Sequence, residues 1–125
     1  MSSYVETPCR SFQAGTTIEQ FARVKLSAGK LAVCDADELG IGTIERQALA
    51  ANEWCPVRLW NAQGTRKIVA GGPITQYAEV YGAASGRADD TPSMARLGIA
   101  LDAASGAGSI IELLPMPQDY APELS

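Results

Sequence analysis

The chain repeats itself, and no other feature limits its folding as strongly. Laid on itself without gaps, Gly15-Thr-Thr-Ile18-Glu-Gln20-Phe21-Ala22-Arg23-Val24 falls on Gly71-Gly-Pro-Ile74-Thr-Gln76-Tyr77-Ala78-Glu79-Val80. Gly, Ile, Gln, Ala and Val coincide, and Phe stands opposite Tyr. Each copy continues through a small-residue bend, Ser27-Ala-Gly29 or Ala84-Ser-Gly86, to a Leu-Gly-Ile segment, Leu39-Gly40-Ile41 or Leu97-Gly98-Ile99. Each closes on an apolar stretch, 54–60 in the first copy and 110–114 in the second. Units of about 55 residues are too short to be stable apart, so the two are expected to share one core.

Inside each unit the period is that of strands. Leu97, Ile99 and Leu101 recur at every second position, which puts all three on one face of an extended chain. Residues 103–109 are small and glycine-bearing, a turn composition, and Ile110 to Leu114 reads as the strand that completes a hairpin. The same reading gives strands near 22–26, 30–34, 39–45 and 55–60, then near 66–70, 77–81 and 94–101. Residues 47–52 form a loop with at most one helical turn, 61–64 a polar turn between the halves, and 89–92 lie in a loop. Gly40-Ile-Gly42 lacks the third glycine of a dinucleotide-binding turn and is read as structural.

The expected fold is therefore all-β: a small β-barrel or β-tulip-like domain over 15–114, built from half-repeats at about 15–60 and 71–114. Residues 1–14 stand outside the repeat as an N-terminal arm. An arm of this kind can add a strand to an exposed sheet edge, with Tyr4, Val5 and Phe12 as its anchors. Pro115, Pro117 and Pro122 make 115–125 an extended, proline-rich tail.

Composition narrows the function. Aromatic residues are 6% and charged residues 19% of the chain, so apolar bulk and solvated charge are both thin. Such a chain is expected to finish its burial against copies of itself or a partner. A net charge of −4 argues against nucleic acid, which needs clustered Lys and Arg. Residues 1–12 lack the apolar core of a signal peptide, and no uncharged run approaches a membrane span. Cys9, Cys34 and Cys55 are odd in number and widely spaced, as expected of thiols in a reducing cytoplasm rather than of a zinc site or disulfide framework.

Catalytic signals are sparse. The sequence has no histidine, hence neither the commonest general base nor the hydrolase triads that use it. Asp35, Asp37 and Glu38 in the first copy and Asp89 with Asp90 in the second form acidic clusters, without the spacing of a calcium loop. They read as solvated loop charge, and no cofactor, metal site or catalytic residue is expected. Arg23 and Glu79 occupy matched positions with opposite charge, which suggests a register-setting pair between the halves or between subunits. Trp54 and Trp60, in an apolar strand, are candidates for a subunit interface or for the core.

Over residues 12–114 the repeat, the glycine-punctuated Leu-Gly-Ile strands and the closing Leu97–Leu114 hairpin resemble the small head-decoration, or cement, proteins of tailed bacteriophages. The resemblance implies a homotrimer on the outer surface of the virion, made in the host cytoplasm. There it would clamp neighbouring subunits of the major capsid protein, with terminal arms reaching the shell. It implies no enzymatic activity, no direct contact with nucleic acid and no membrane. Two alternatives remain at this point: a small carbohydrate- or fibre-associated β-barrel binding module, and, less favoured, an enzyme using the acidic loops.

Overall fold

Strand alternation decides what faces inward. In β5 (Trp54–Leu59), Cys55 and Val57 are buried while Trp54 and Arg58 point outward. β10 (Ile110–Pro115) repeats the pattern, with Ile111 and Leu113 inside and Ile110, Glu112 and Leu114 outside. The computed structural model describes residues 9–116. The other strands are β1 (Cys9–Gln13), β2 (Arg23–Ser27), β3 (Lys30–Val33), β4 (Gly42–Ile44), β6 (Arg66–Val69), β7 (Glu79–Gly82), β8 (Ala88–Asp89) and β9 (Arg96–Ala100). Among the described residues a single 3-10 turn occurs, over Ala84–Gly86.

The strands form two five-stranded antiparallel sheets of identical plan, β1-β5-β4-β2-β3 and β6-β10-β9-β7-β8. In each, a lone parallel bridge brings the two ends of the sheet together, Ala14 with Leu31 in the first and Ala70 with Ala88 in the second. Each sheet therefore curls into a barrel-like unit. The chain is the all-β, two-half-repeat body that its sequence suggested.

The copies match at an offset of 56 residues over most of the body (74 − 18, 98 − 42), and β8 stands one residue further on, since Ala88 takes the place of Leu31. Ile18 bridges Ala48 as Ile74 bridges Ala104. Phe21 N–H donates to the Ile44 carbonyl and Tyr77 N–H to the Ala100 carbonyl, at 2.7 Å each. Phe21 and Tyr77 also share a left-handed backbone, at φ 67° and 70°. This offset corrects one sequence match. Gly98 lies beside Val80 as Gly42 lies beside Val24, so the partner of Gly98 is Gly42, not Gly40. At both positions the strands cross so closely that a Cβ would collide with the carbonyl of Arg58 or of Leu114. Glycine on either side of Ile41 let the sequence align two positions out of register.

Three further expectations change. Residues 9–13 are not part of a separate arm: they form β1, paired along its length with β5. Its counterpart β6 likewise belongs to the second unit, so each half begins one strand earlier than the repeat suggested. Asp89 ends a short strand, β8, paired with β7, rather than lying wholly in a loop. The core is also divided. Val24, Leu31, Ile44, Val57 and Cys55 pack in the first half, and Ile68, Val80, Leu97, Ile111 and Leu113 in the second. Leu39 and Trp60, from the first half and its exit, pack against the second cluster and tie the two together. The arm anchors Tyr4 and Val5 and the tail from Pro117 onward lie outside the described residues.

Candidate functional site

The pairings Cys9–Arg58, Arg58–Thr43 and Thr43–Arg23 place these four residues in a row across the outer face of the first sheet. An outer face is normally wet, yet Arg23 and Thr43 are fully buried, because the second half sits on them. The Arg23 guanidinium supplies the fastening. Its Nε donates to the Arg87 carbonyl at 3.2 Å and its Nη2 to the Ala83 carbonyl at 2.6 Å, both in the second half. On its own side Nη2 donates to the Asp35 carbonyl at 3.2 Å, and Nη1 to the Glu38 carbonyl. Burial lowers the pKa of Arg23 from its ordinary value, and the cation remains because carbonyl dipoles surround it. Gly82 leaves room for it: a Cβ there would meet the guanidinium and the Ala36 carbonyl.

Arg66 makes the reverse crossing. From the second half its Nη1 donates to the Arg58 carbonyl at 2.7 Å and its Nη2 to the Leu59 carbonyl at 2.8 Å. Its guanidinium carbon lies 4.4 Å from the centre of the Trp60 ring. Burial, helped by the nearby Arg58 charge, pulls its pKa down to about 10. Trp60 in turn donates from Nε1 to the Leu39 carbonyl at 3.1 Å. Outside the seam an exposed ion pair, Arg87 with Glu19 at 2.7 Å, spans the halves again.

Beside Arg66 the halves leave an open groove of about 770 Å³. Its charged walls are balanced, with Arg58, Arg66 and Lys67 against Glu45, Asp102 and Glu112. The Nε atoms of Arg58 and Arg66 are buried without a partner there. A wall of balanced charge selects neither an anion nor a cation.

The acidic clusters serve the loops that carry them. Glu38 accepts from the Asp35 N–H and from Lys25 Nζ, both at 2.8 Å, and these contacts hold its pKa below the ordinary value. Asp37 accepts from the Met94 N–H at 3.0 Å, so this loop too contacts the second half. Asp89 accepts from the Thr91 N–H at 3.0 Å. Among the described residues no group of three or more ligand-type side chains converges. Burial raises the Cys34 thiol to about 11. No helix among the described residues is long and apolar enough to cross a membrane.

Arg23 and Glu79 do not pair with each other. Arg23 is a buried clamp, whereas Glu79 is exposed and faces Arg96 at 3.5 Å and the Tyr81 hydroxyl at 3.1 Å. Phe12 is partly buried against the first core, and Trp60 is held inside the chain by Arg66. Trp54 is the one of the two tryptophans that looks outward, 60% exposed. Sequence reading missed Arg66 and the clamping role of Arg23. The signal was present in Gly82-Ala-Ala-Ser-Gly86, a run of small residues whose carbonyls can close around a guanidinium.

Large apolar side chains remain on the outside. Leu49 is 68% exposed in the loop before Trp54, Met94 is 77% exposed, and Leu114 is 40% exposed on the outer face of the second sheet. These surfaces, rather than an enclosed cavity, are where the molecule can meet something else. In comparisons with known proteins, no family model and no curated relative matches the chain.

Proposed function

We propose that this chain is a structural capsid decoration, or cement, protein. It binds the outer surface of a phage head as a homotrimer and stabilises the head by clamping neighbouring subunits of the major capsid protein. The observation that carries this reading is a duplicated β-body whose halves are fastened by two buried arginines while Leu49, Trp54, Met94 and Leu114 face outward. Such a body is stiff, and its exposed apolar groups offer contact area to other chains. A symmetric shell presents many identical shallow sites, so a trimer engaging several at once turns weak contacts into tight attachment. The resemblance noted in the sequence supports the same reading.

The test is co-sedimentation of the full chain with undecorated heads, followed by heating of the decorated particles. Co-sedimentation and a higher temperature of DNA release are expected. Deleting residues 1–8 is expected to reduce attachment at least tenfold, since this removes Tyr4 and Val5 but keeps β1. Unchanged occupancy would discard the arm, and no attachment by the full chain would discard the cement reading.

A further inference from the structure

We propose that the groove between the two halves is a binding site for a neutral carbohydrate. Among the described residues, the buried side-chain polar atoms without a partner are Arg58 Nε and Arg66 Nε, and both residues line this groove. An unpaired buried donor is costly, so two in one place mark where an acceptor belongs. Arg66 is fixed, donating to the Arg58 carbonyl at 2.7 Å and to the Leu59 carbonyl at 2.8 Å. The half-buried Arg58 guanidinium donates only to the Gln63 carbonyl, and it is the group that turns to admit a ligand.

Charge decides which ligand. Arg58, Arg66 and Lys67 stand against Glu45, Asp102 and Glu112, so an ion gains from one set what it loses to the other. The carboxylates are not equally free. Glu112 accepts from the Thr65 hydroxyl at 2.6 Å, and Asp102 from the Glu112 N–H at 3.0 Å. The Glu45 carboxylate has no such bond, and the ion pairs among the described residues all lie elsewhere. Thr43 pairs with Arg58, and Glu45 N–H donates to the Pro56 carbonyl. Glu45 and Arg58 are therefore diagonal neighbours on the outer face of the first sheet, about 7–8 Å apart along the backbone.

A free carboxylate beside an under-used guanidinium calls for a ligand that donates to one and accepts from the other. Adjacent hydroxyls of a sugar ring do both and bring no charge. A peptide also carries donors and acceptors, but spreads them along a backbone edge instead of setting them on neighbouring atoms. The C–H face of a sugar needs an apolar neighbour, which Phe21 and the 53% exposed Ile110 supply. The Lys67 ammonium, 5.8 Å from the centre of the Phe21 ring, is a further donor on a flexible stem. A volume of about 770 Å³ lies in the range of small-ligand sites.

NMR titration of the full-length protein tests the site. Maltotriose, cellotriose and mannotriose serve as neutral probes, with sialyllactose and the tripeptide Lys-Ala-Glu for comparison. At least one neutral trisaccharide is expected to bind with a Kd of about 1 mM or tighter and to move the amide signals of Thr65, Lys67 and Ile110. Glu45→Ala, which removes a carboxylate that bonds nothing, should keep the parent's urea midpoint and weaken binding about tenfold. Ile110→Ser, at an exposed position, should weaken it likewise from the second half. Absence of binding by all three neutral probes overturns the site, as does an affinity unchanged in both variants. Shifts centred on the exposed Trp54 place the sugar elsewhere and overturn the groove. Binding of sialyllactose or the tripeptide alone overturns the neutral carbohydrate in favour of a charged ligand or a peptide. Binding here requires no shell, so its failure leaves the capsid proposal standing, and failure of shell attachment leaves the groove standing.

Discussion

Arg23 and Glu79 occupy the same place in the two copies and have opposite fates. Arg23 is fully buried and satisfies four carbonyl oxygens from both halves. Removing it leaves those acceptors dry and opens a cavity at the seam. Arg23→Ala is therefore expected to cost about 3 kcal/mol in urea unfolding. Arg23→Lys should fall between, because an ammonium cannot reproduce the planar fork. Glu79→Ala, at an exposed pair, should lie within about 0.5 kcal/mol of the parent. Glu38 gives a pH signature. Its pKa is lowered, first by the Asp35 N–H and then by Lys25, so its contribution is complete above the ordinary value of 4.5 and lost as pH falls through the lowered one. NMR titration should place its midpoint below 4.5, and Glu38→Gln should flatten the acid limb of the stability curve. None of this was legible from residue type alone, since an arginine opening a strand looks the same in sequence whether it is solvated or clamped.

At the scale of elements, legibility followed the work each residue does locally. Gln20 and Gln76 donate to the carbonyls of Glu45 and Leu101, and Ile18 and Ile74 hold equivalent bridges. Those jobs demand particular side chains, and the repeat was visible there. β1 and β6 share little more than backbone pairing and one inward apolar position, Phe12 or Ile68, so Cys9–Gln13 and Arg66–Val69 show no obvious common pattern and β1 was assigned to an arm. The β4 and β9 crossings make a sharper test. Gly42→Ala and Gly98→Ala should each cost on the order of 3 kcal/mol, since the added methyl meets backbone rather than a movable side chain. Gly72→Ala, with nothing within 4 Å, should change stability by less than about 0.5 kcal/mol. Matched urea midpoints for the three variants would check this, and an effect in only one of the two crossings would argue against equivalent halves.

For the whole molecule, two small barrels with separate cores become one body through guanidinium groups that cross in both directions. The joint is largely polar and internal, while several large apolar side chains, Leu49, Trp54, Tyr77 and Met94 among them, remain at the surface. Those exposed groups support the proposed role in assembly, in which a rigid unit would carry contact area for identical neighbours and for a shell. In the proposed assembly, multiplicity would supply the holding strength that a single contact lacks. Light scattering on the full-length protein at micromolar concentration tests this most directly. The expected mass is three times the 13.1 kDa of one chain. A particle with the mass of a single chain, unchanged as concentration rises, would contradict it.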